Sequence, residues 1–255
     1  MKPIIGIIGG KGKMGKLFAR FFRFNGFKVM ISDKKTKLTA KELMKKCNVI
    51  IFSTPMNKTE KAIEENAKYA KKGSLLLDLA SLKEMPVNTM NKSASKGAEV
   101  IGLHPLFGPK IDSFRGKTIV LCPLKKKSKW LDWLKKLFKK NKIRLKIISA
   151  KKHDKLMSVI QGMNYFSILT ERNALKKLGF TEKELQEFAT PNYASKKKLT
   201  KKELIENKRL IQDILFMNSF NKESIKEFLK SGKKLQKIIN SKNKKEFEKF
   251  LKGCA

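Results

Sequence analysis

The sequence predicts an α/β protein in which a doubly wound parallel sheet is followed by a smaller all-helical domain. Over residues 1–150, short apolar runs alternate with amphipathic segments, a pattern typical of parallel strands joined by helices. A cluster of glycines follows the first apolar run at once, as where a buried strand turns into a helix. Beyond residue 150 only helical periodicity continues. We therefore expect two domains, residues 1–150 and residues 151–255.

The first domain is expected to contain seven strands. Their apolar runs cover residues 4–8, 27–32, 48–53, 75–77, 100–103, 118–121 and 143–148. Helical spacing of apolar residues predicts helices at 14–24, 59–72 and 130–138. Gly26 and Gly73 follow the first two of these helices, because glycine readily adopts the conformation that ends a helix. Strands separated by helices imply a parallel arrangement.

The second domain is expected to consist of amphipathic helices. A long helical stripe ending near Gly179 is predicted by the spacing of Leu156, Val159, Ile160, Met163 and Phe166. Two pairs have the pattern of capping boxes, Thr181 with Glu184 and Thr200 with Glu203. Because the apolar stripes are long and the domain is small, we expect it to pair with a second copy and form a homodimer.

Composition indicates a protein of a reducing, aqueous compartment. No apolar run approaches the roughly 18 residues of a membrane span, and the N-terminus lacks the pattern of a signal peptide. The three cysteines, Cys47, Cys122 and Cys254, are widely spaced and form no C-x-x-C pair. This argues against a disulfide framework or a zinc site. We therefore expect a cytoplasmic protein without a membrane partner or a bound metal.

The net charge of +38 is extreme, and lysine supplies nearly all of it. One interpretation is a nucleic-acid-binding surface. The other is a solvated, lysine-biased surface, which we favour because the lysines are spread along the whole chain. Arginine, which reads bases better than lysine does, occurs only six times. We expect no specific nucleic-acid partner, but attraction for anions such as a phosphorylated cofactor or a dicarboxylate substrate.

The glycine cluster has the spacing of a dinucleotide-binding loop, Gly10-Lys11-Gly12-Lys13-Met14-Gly15. It follows a predicted strand and opens a predicted helix, which is the context that supports this motif. Gly10 permits the tight turn, Gly12 lets the backbone approach a pyrophosphate, and Gly15 lets the helix pack closely on the strand. Free N–H groups of the first helical turn then favour phosphate. All positions except Lys11 are expected to contact the cofactor.

Two further strand ends are expected to line the cofactor site. Asp33 follows the second strand, near the offset expected for a carboxylate that binds the ribose hydroxyls. A carboxylate there repels a 2′-phosphate and favours NAD, although Lys34 and Lys35 leave NADP possible. Ser53-Thr54-Pro55 ends the third strand at the same edge of the sheet.

Two polar segments follow the fourth and fifth strands, where ligands of such sheets bind. His104 ends the fifth strand and is held by a following proline, so it is a candidate for acid–base chemistry near neutral pH. Ser81 and Lys83 follow the fourth strand. Ser81 could donate to a substrate or to His104, and Lys83 could hold a substrate carboxylate. The alternative for both residues is a structural role in a capped turn that leads into the next helix.

Together, segments 7–15, 78–83, 102–109 and 148–154 resemble the prephenate and arogenate dehydrogenase family. The most specific of them is His-Pro-Leu-Phe-Gly-Pro at 104–109. It is similar to the bacterial form that is fused to a chorismate mutase, and we expect no such fused segment here. The resemblance covers nearly the whole chain. It implies NAD-dependent oxidative decarboxylation of prephenate to 4-hydroxyphenylpyruvate in tyrosine biosynthesis.

The resemblance also implies roles for individual residues. His104 would polarise the 4-hydroxyl of the substrate, Ser81 would support it, and His153 would order the domain junction rather than take part in chemistry. The family's carboxylate-binding arginine corresponds to Lys202 here, or to Arg209 after a shift of register. The implied assembly is a dimer formed through the helical domain.

Two alternatives remain open at this point. One is a related nicotinamide-dependent dehydrogenase that acts on arogenate or a different hydroxy acid, and the replacement of the family's arginine by Lys202 is its main support. The other is a non-catalytic nucleotide-binding homologue, which the net charge supports. The intact glycine loop, Asp33 and His104 count against it.

Overall fold

The computed structural model describes residues 2–254, without the side chains of residues 202 and 203. The chain forms two compact units, which divide after Asp154. The first unit holds one sheet of seven strands in the order β2-β1-β3-β4-β5-β6-β7. The strands are β1 (Ile5–Ile8), β2 (Val29–Ser32), β3 (Val49–Phe52), β4 (Leu75–Asp78), β5 (Glu99–Pro105), β6 (Thr118–Pro123) and β7 (Arg144–Ile147).

Helices connect most of these strands. They are α1 (Lys13–Phe24), α2 (Ala40–Lys46), α3 (Met56–Asn66), α4 (Glu84–Ser93) and α5 (Lys129–Lys140). The helix predicted at 59–72 is in fact α3 followed by a short 3-10 turn, Ala67–Tyr69. Helix α2 was not predicted from the sequence, although Thr39 and Glu42 form a reciprocal capping box at its start.

The sheet is mostly parallel, with one reversal that the sequence analysis did not predict. Strands β1 to β5 run parallel, whereas β6 pairs antiparallel with β5 and β7 pairs parallel with β6. The physical reason lies in residues 106–117, which form a loop instead of a helical crossover. A strand that returns through such a loop pairs antiparallel, because a parallel return needs a crossover connection.

The sheet is covered on both faces, which explains the apolar runs of its strands. One face packs against α1 and α5 through residues that include Phe18, Phe22 and Phe138. The other face packs against α2, α3 and α4 through residues that include Leu43 and Met90. Strands β1, β3 and β4 are buried along their whole length. Polar residues that could contact a ligand are therefore expected at the ends of these strands and not on their faces.

The second unit is helical from residue 155 onward. Helix α6 (Ala150–Met157) runs into a π-helical turn, Ser158–Met163. The remaining helices are α7 (Asn164–Lys177), α8 (Glu182–Glu187), α9 (Pro191–Glu206), α10 (Lys208–Met217), α11 (Asn221–Asn240) and α12 (Lys244–Lys252). No described helix, from residue 2 to residue 254, is both long enough and apolar enough to cross a membrane.

The predicted stripe lies on the helical segment made of α6, the π-helical turn and α7, which ends at Lys177, close to Gly179. Its residues Leu156, Val159 and Ile160 are 43%, 47% and 60% exposed. Of the two predicted capping boxes, the one at Thr181 and Glu184 is confirmed at the start of α8. The one at Thr200 is wrong, since Thr200 lies inside α9 and its hydroxyl donates to the carbonyl of Lys197.

Candidate active site

The glycine loop turns the chain from β1 into α1. Gly9 has a φ of +79°, a conformation that glycine adopts without steric cost. Gly12 is the N-cap of α1 and supplies no capping side chain. The first N–H groups of the helix therefore lack side-chain acceptors from the cap residue and coincide with the positive end of the helix dipole. This arrangement is suited to binding a phosphate group.

Close backbone packing explains why the loop needs glycine at position 15. A Cβ atom added to Gly15 would lie 2.5 Å from the Gly9 carbonyl oxygen and 2.7 Å from the Gly10 Cα. Both neighbours are backbone atoms, which cannot move aside as a flexible side chain can. A Cβ at Gly12 would lie 3.2 Å from the same carbonyl oxygen. The loop and the first turn of α1 are thus in direct contact, as the sequence motif predicts.

Gly15→Ala is expected to weaken nucleotide binding at least tenfold and to lower the melting temperature. The added methyl group must push α1 away from the loop, at a cost of about 1–3 kcal/mol. Isothermal titration with NAD and thermal unfolding measure the two effects. Gly232→Ala in α11 is the matched control, since a Cβ there meets nothing within 4 Å and should stabilise the helix slightly. Unchanged NAD affinity in Gly15→Ala would contradict this view of the loop.

The other predicted cofactor residues gather near this loop. The Asp33 carboxylate accepts hydrogen bonds from the backbone N–H of Lys11 at 2.9 Å and of Lys34 at 2.8 Å. These bonds hold the carboxylate against the glycine loop. On the other side, a Cβ at Gly9 would lie 2.5 Å from the Ser53 carbonyl oxygen, so the end of β3 also contacts the loop.

The remaining residues predicted to bind the cofactor have different degrees of exposure. Lys13 and Met14 form the first turn of α1, where Lys13 is exposed and Met14 packs partly against the core. Ser53 and Thr54 are half-buried, and Pro55 is the N-cap of α3. The ends of β1, β2 and β3 thus bring these residues to the same edge of the sheet.

His104 is the last residue but one of β5 and lies at that same edge of the sheet. It is only 4% exposed, so it is more enclosed than the sequence suggested. Its Nδ1 lies 2.9 Å from Nε2 of His153, which leaves Nε2 of His104 as the ring nitrogen able to reach a ligand. Burial lowers the pKa of His104 well below its usual 6.5, and the nearby His153 and Lys83 lower it further. The imidazole is therefore neutral at physiological pH.

A second buried histidine continues this chain of contacts. His153 is fully buried, and its Nδ1 lies 2.7 Å from Oδ1 of Asp154. The two Asp154 oxygens also accept the backbone N–H groups of Lys83 and Glu84, each at 2.8 Å. Asp154 thereby binds the N-terminus of α4, and the whole chain of contacts lies within the first unit.

Sequence reasoning missed the direct contact of His153 with His104. It assigned His153 to the domain junction, because nothing in a linear pattern brings residue 153 to the end of β5. One signal was available: the chain has only two histidines, and each lies in a segment that resembles the same family.

Lys83 requires a correction. Its ammonium group was predicted to hold a substrate carboxylate, but the side chain is fully buried. Its Nζ contacts the Asp78 carboxylate and donates to the Leu103 carbonyl oxygen at 3.1 Å. Burial raises the pKa of Asp78 to about 6, and the Lys83 ammonium opposes that shift. Lys83 is thus an internal ion-pair partner beneath the site, because its charge is already used in the core.

The other substrate candidates are less informative. Ser81 is half-buried in the segment after β4, and in the described chain the Nδ1 partner of His104 is His153 rather than Ser81. Lys202 belongs to α9, and its side chain lies outside the described part of the structure. Arg209, the alternative, is exposed on α10. The proposed contacts of Ser81 and Lys202 with a substrate therefore stay predictions.

Comparison with known families identifies the chain. Residues 19–147 match the sequence model of the prephenate dehydrogenase nucleotide-binding domain, and residues 149–253 match that of the prephenate dehydrogenase dimerization domain. The chain belongs to the prephenate dehydrogenase family. The family named by the resemblance, and the fold class with it, are thus confirmed.

Individual relatives agree with this assignment to the prephenate dehydrogenase family. A probable arogenate/prephenate dehydrogenase of Methanocaldococcus jannaschii is 32% identical over 98% of this chain and 60% of its own length. The T-protein of Enterobacter agglomerans is 28% identical over 89% of this chain and 60% of its own length. The chain thus spans about 60% of the length of these curated relatives.

Solved structures of the prephenate dehydrogenase family share the fold. The crystal structure of prephenate dehydrogenase from Aquifex aeolicus, in complex with hydroxyphenyl propionate and NAD+, is 19% identical with a TM-score of 0.77. That match covers 100% of this chain and 96% of the other. Synechocystis arogenate dehydrogenase is 15% identical with a TM-score of 0.72, over 98% of this chain and 96% of the other.

Proposed function

We propose that this protein catalyses the NAD-dependent oxidative decarboxylation of prephenate to 4-hydroxyphenylpyruvate. The observation that carries the proposal is the neutral His104 imidazole at the carboxyl end of β5. It lies on the same edge of the sheet as the glycine loop that follows β1. Proton acceptor and phosphate-binding loop thus belong to one unit, as a dehydrogenase requires.

The reaction needs three events at the substrate ring. The hydroxyl proton of the carbinol carbon passes to His104 Nε2 while that carbon loses a hydride. The ring carboxylate then leaves as carbon dioxide, its bonding electrons complete the aromatic ring, and the resulting phenolate oxygen takes the proton back from His104. The bound nicotinamide supplies the hydride acceptor. Because the gain of aromaticity drives the reaction, the protein mainly has to orient the ring and accept the proton.

The residues near the loop favour NAD over NADP. The Asp33 carboxylate is fixed by two backbone N–H groups, and each oxygen keeps a lone pair for a ribose hydroxyl. A 2′-phosphate at that place would face a carboxylate across a short distance. Lys34 and Lys35 are next along the chain and would reduce the repulsion, so we expect a preference for NAD rather than complete exclusion of NADP.

Arogenate is the second candidate substrate, and the M. jannaschii relative, named a probable arogenate/prephenate dehydrogenase, favours including it. Arogenate carries the same ring, hydroxyl group and ring carboxylate as prephenate, and it differs in an amino group on the side chain. Because His104 would act on the ring hydroxyl, its chemistry is the same for both. The choice between them depends on residues that contact the side chain of the substrate.

A four-way assay tests the proposal. Prephenate and arogenate are each supplied with NAD and with NADP, and reduction of the cofactor is followed by absorbance while the aromatic product is identified by mass. We expect NAD reduction with prephenate together with 4-hydroxyphenylpyruvate. Turnover of arogenate alone would change the substrate, and no turnover in any of the four combinations would defeat the proposal.

We also propose that the protein forms a homodimer through its second unit. Large apolar side chains are strongly exposed there, with Phe188 at 86% and Phe216 at 82%. Water-exposed aromatic side chains of this size are typical of a surface that pairs with another. Residues 149–253 also match the dimerization domain model.

Sedimentation velocity at micromolar concentration is expected to give a species of twice the 29.2 kDa chain mass. The experiment should be run in at least 0.3 M salt, because the net charge of +38 opposes association through repulsion that salt screens. A single monomeric species at about 10 µM under those conditions would contradict the dimer, since an apolar interface does not weaken when salt is added.

A further inference from the structure

We propose that His153 and Asp154 are positioning residues that hold His104 in the tautomer with a proton on Nδ1 and none on Nε2. In this form Nε2 of His104 is free to accept the substrate hydroxyl proton. The kinetic consequence rests on the proposed function. The tautomer itself is a property of the resting protein and is testable without turnover.

Asp154 accepts hydrogen bonds through both of its carboxylate oxygens. Its Oδ1 accepts the backbone N–H of Lys83 and its Oδ2 accepts that of Glu84. Two N–H donors at a helix N-terminus favour the ionised carboxylate, which only accepts hydrogen bonds. Oδ1 also lies 2.7 Å from Nδ1 of His153. The proton in that contact therefore belongs to Nδ1 of His153.

The contact between the two histidines determines which nitrogen of His104 carries the proton. A neutral imidazole carries one proton, so His153 with a proton on Nδ1 has a bare, accepting Nε2. That nitrogen lies 2.9 Å from Nδ1 of His104, and two acceptors cannot form a hydrogen bond with each other. Nδ1 of His104 must therefore donate, which leaves its Nε2 without a proton.

The competing arrangement has a doubly protonated His153. Its Nε2 would then donate to Nδ1 of His104, and the proton of His104 would move to Nε2, where it could not accept another. Two features disfavour this form. His153 is fully buried, and the Asp154 carboxylate already accepts two backbone N–H groups. A buried imidazolium is costly unless a carboxylate fully compensates it.

The charged and titratable groups around the two rings come from several elements. Asp78 lies at the end of β4, Lys83 at the start of α4, Cys122 on β6 and Asp154 on α6. Asp78 and Lys83 neutralise each other. Burial raises the pKa of Cys122 to about 12, so its thiol carries no charge near neutral pH. Asp154 is therefore the carboxylate that orients the histidine pair.

Nitrogen-15 NMR of histidine-labelled protein tests the tautomer directly. The chain has two histidines, so four ring nitrogens appear, and a His153→Gln variant assigns them by removing one ring. We expect both Nδ1 atoms to be protonated and both Nε2 atoms to be bare at pH 7.5. A bare Nδ1 in His104, or a doubly protonated His153, would overturn the proposal. This result does not depend on the identity of the substrate.

Two variants of His153 provide the kinetic test. The amide of glutamine reaches the place of Nε2, so its oxygen can accept from His104, whereas the shorter asparagine reaches only the place of Nδ1. His153→Asn is expected to lower kcat by roughly 10²-fold, within the range that general-base catalysis contributes. His153→Gln should stay within about tenfold of the parent.

NAD affinity and melting temperature of the two variants serve as controls, because a purely structural role would move them together. Equal kcat values in the two variants would contradict a positioning role. If the parent protein turns over neither prephenate nor arogenate, the positioning role is tested by nitrogen-15 NMR, which reports the His104 tautomer in each variant. The proposal then expects a protonated Nδ1 in His153→Gln and a mixture of tautomers in His153→Asn, and identical spectra would overturn it.

Discussion

Replacing His104 with asparagine is expected to lower kcat with prephenate by about 10²–10⁴-fold, the range that a general base contributes. The asparagine amide can still donate to His153 from the place of Nδ1, so the buried contact is retained. What is lost is Nε2, the nitrogen that would accept the hydroxyl proton. Steady-state kinetics with NAD and prephenate measure the change.

His104→Gln is the informative companion variant. Its amide oxygen reaches the place of Nε2 and can accept a hydrogen bond, but an amide does not take up the proton. If His104 acts as a base, both variants lose kcat and keep their affinity for NAD. A His104→Gln enzyme with nearly parental kcat would show that the residue only orients the substrate.

The pH dependence expected for the proposed activity follows from the same histidine. Burial, then His153 and Lys83, lower the pKa of His104 well below 6.5. The neutral, accepting form of the ring therefore persists as the pH falls through 6.5. We expect the acid limb of kcat/KM to lie below pH 6.5, and this limb should be absent from His104→Gln.

Lys83→Met is expected to destabilise the first unit by about 3–5 kcal/mol, because it leaves the buried Asp78 carboxylate without its cation. Urea unfolding followed by tryptophan fluorescence measures this change. Both tryptophans, Trp130 and Trp133, lie in α5 of the first unit, so the signal reports that unit alone. Methionine is close to lysine in length, which limits the change in packing.

Two controls separate the charge effect from packing. Lys92→Met places the same substitution on the exposed side of the same helix, α4, and should change stability by less than about 0.5 kcal/mol. The double variant Asp78→Asn with Lys83→Met removes both charges and should recover part of the loss. A Lys83→Met protein as stable as Lys92→Met would contradict the ion pair.

The loss in Lys83→Met should also depend on pH. Burial raises the pKa of Asp78 from 3.8 to about 6 although the Lys83 ammonium opposes this shift, so removing the ammonium raises the pKa further. The folded variant then binds a proton that the unfolded chain releases above pH 3.8. The stability of Lys83→Met should therefore increase more than that of Lys92→Met as the pH falls from 8 to 5, because Asp78 keeps a pKa of about 6 in Lys92→Met.

Local sequence patterns were sufficient for most of the fold. Strands such as β1 and β4 are fully buried, so their apolar runs and the polar residues that follow them mark both ends clearly. The glycine loop was equally predictable, because the close contacts that require Gly12 and Gly15 are with backbone atoms only a few positions away. The antiparallel β6 was missed, since the direction of pairing depends on the path of the loop before it and not on the strand's own residues.

The sequence by itself determined the order of the seven strands along the chain, the nucleotide-binding loop and the presence of an imidazole at the end of β5. Only the tertiary structure decided what surrounds that imidazole. Lys83 is buried against Asp78, and His153 comes from 49 residues further along the chain to contact His104. Pairings of this kind depend on which chain segments the packed core brings together, and spacing along the sequence carries no record of that proximity.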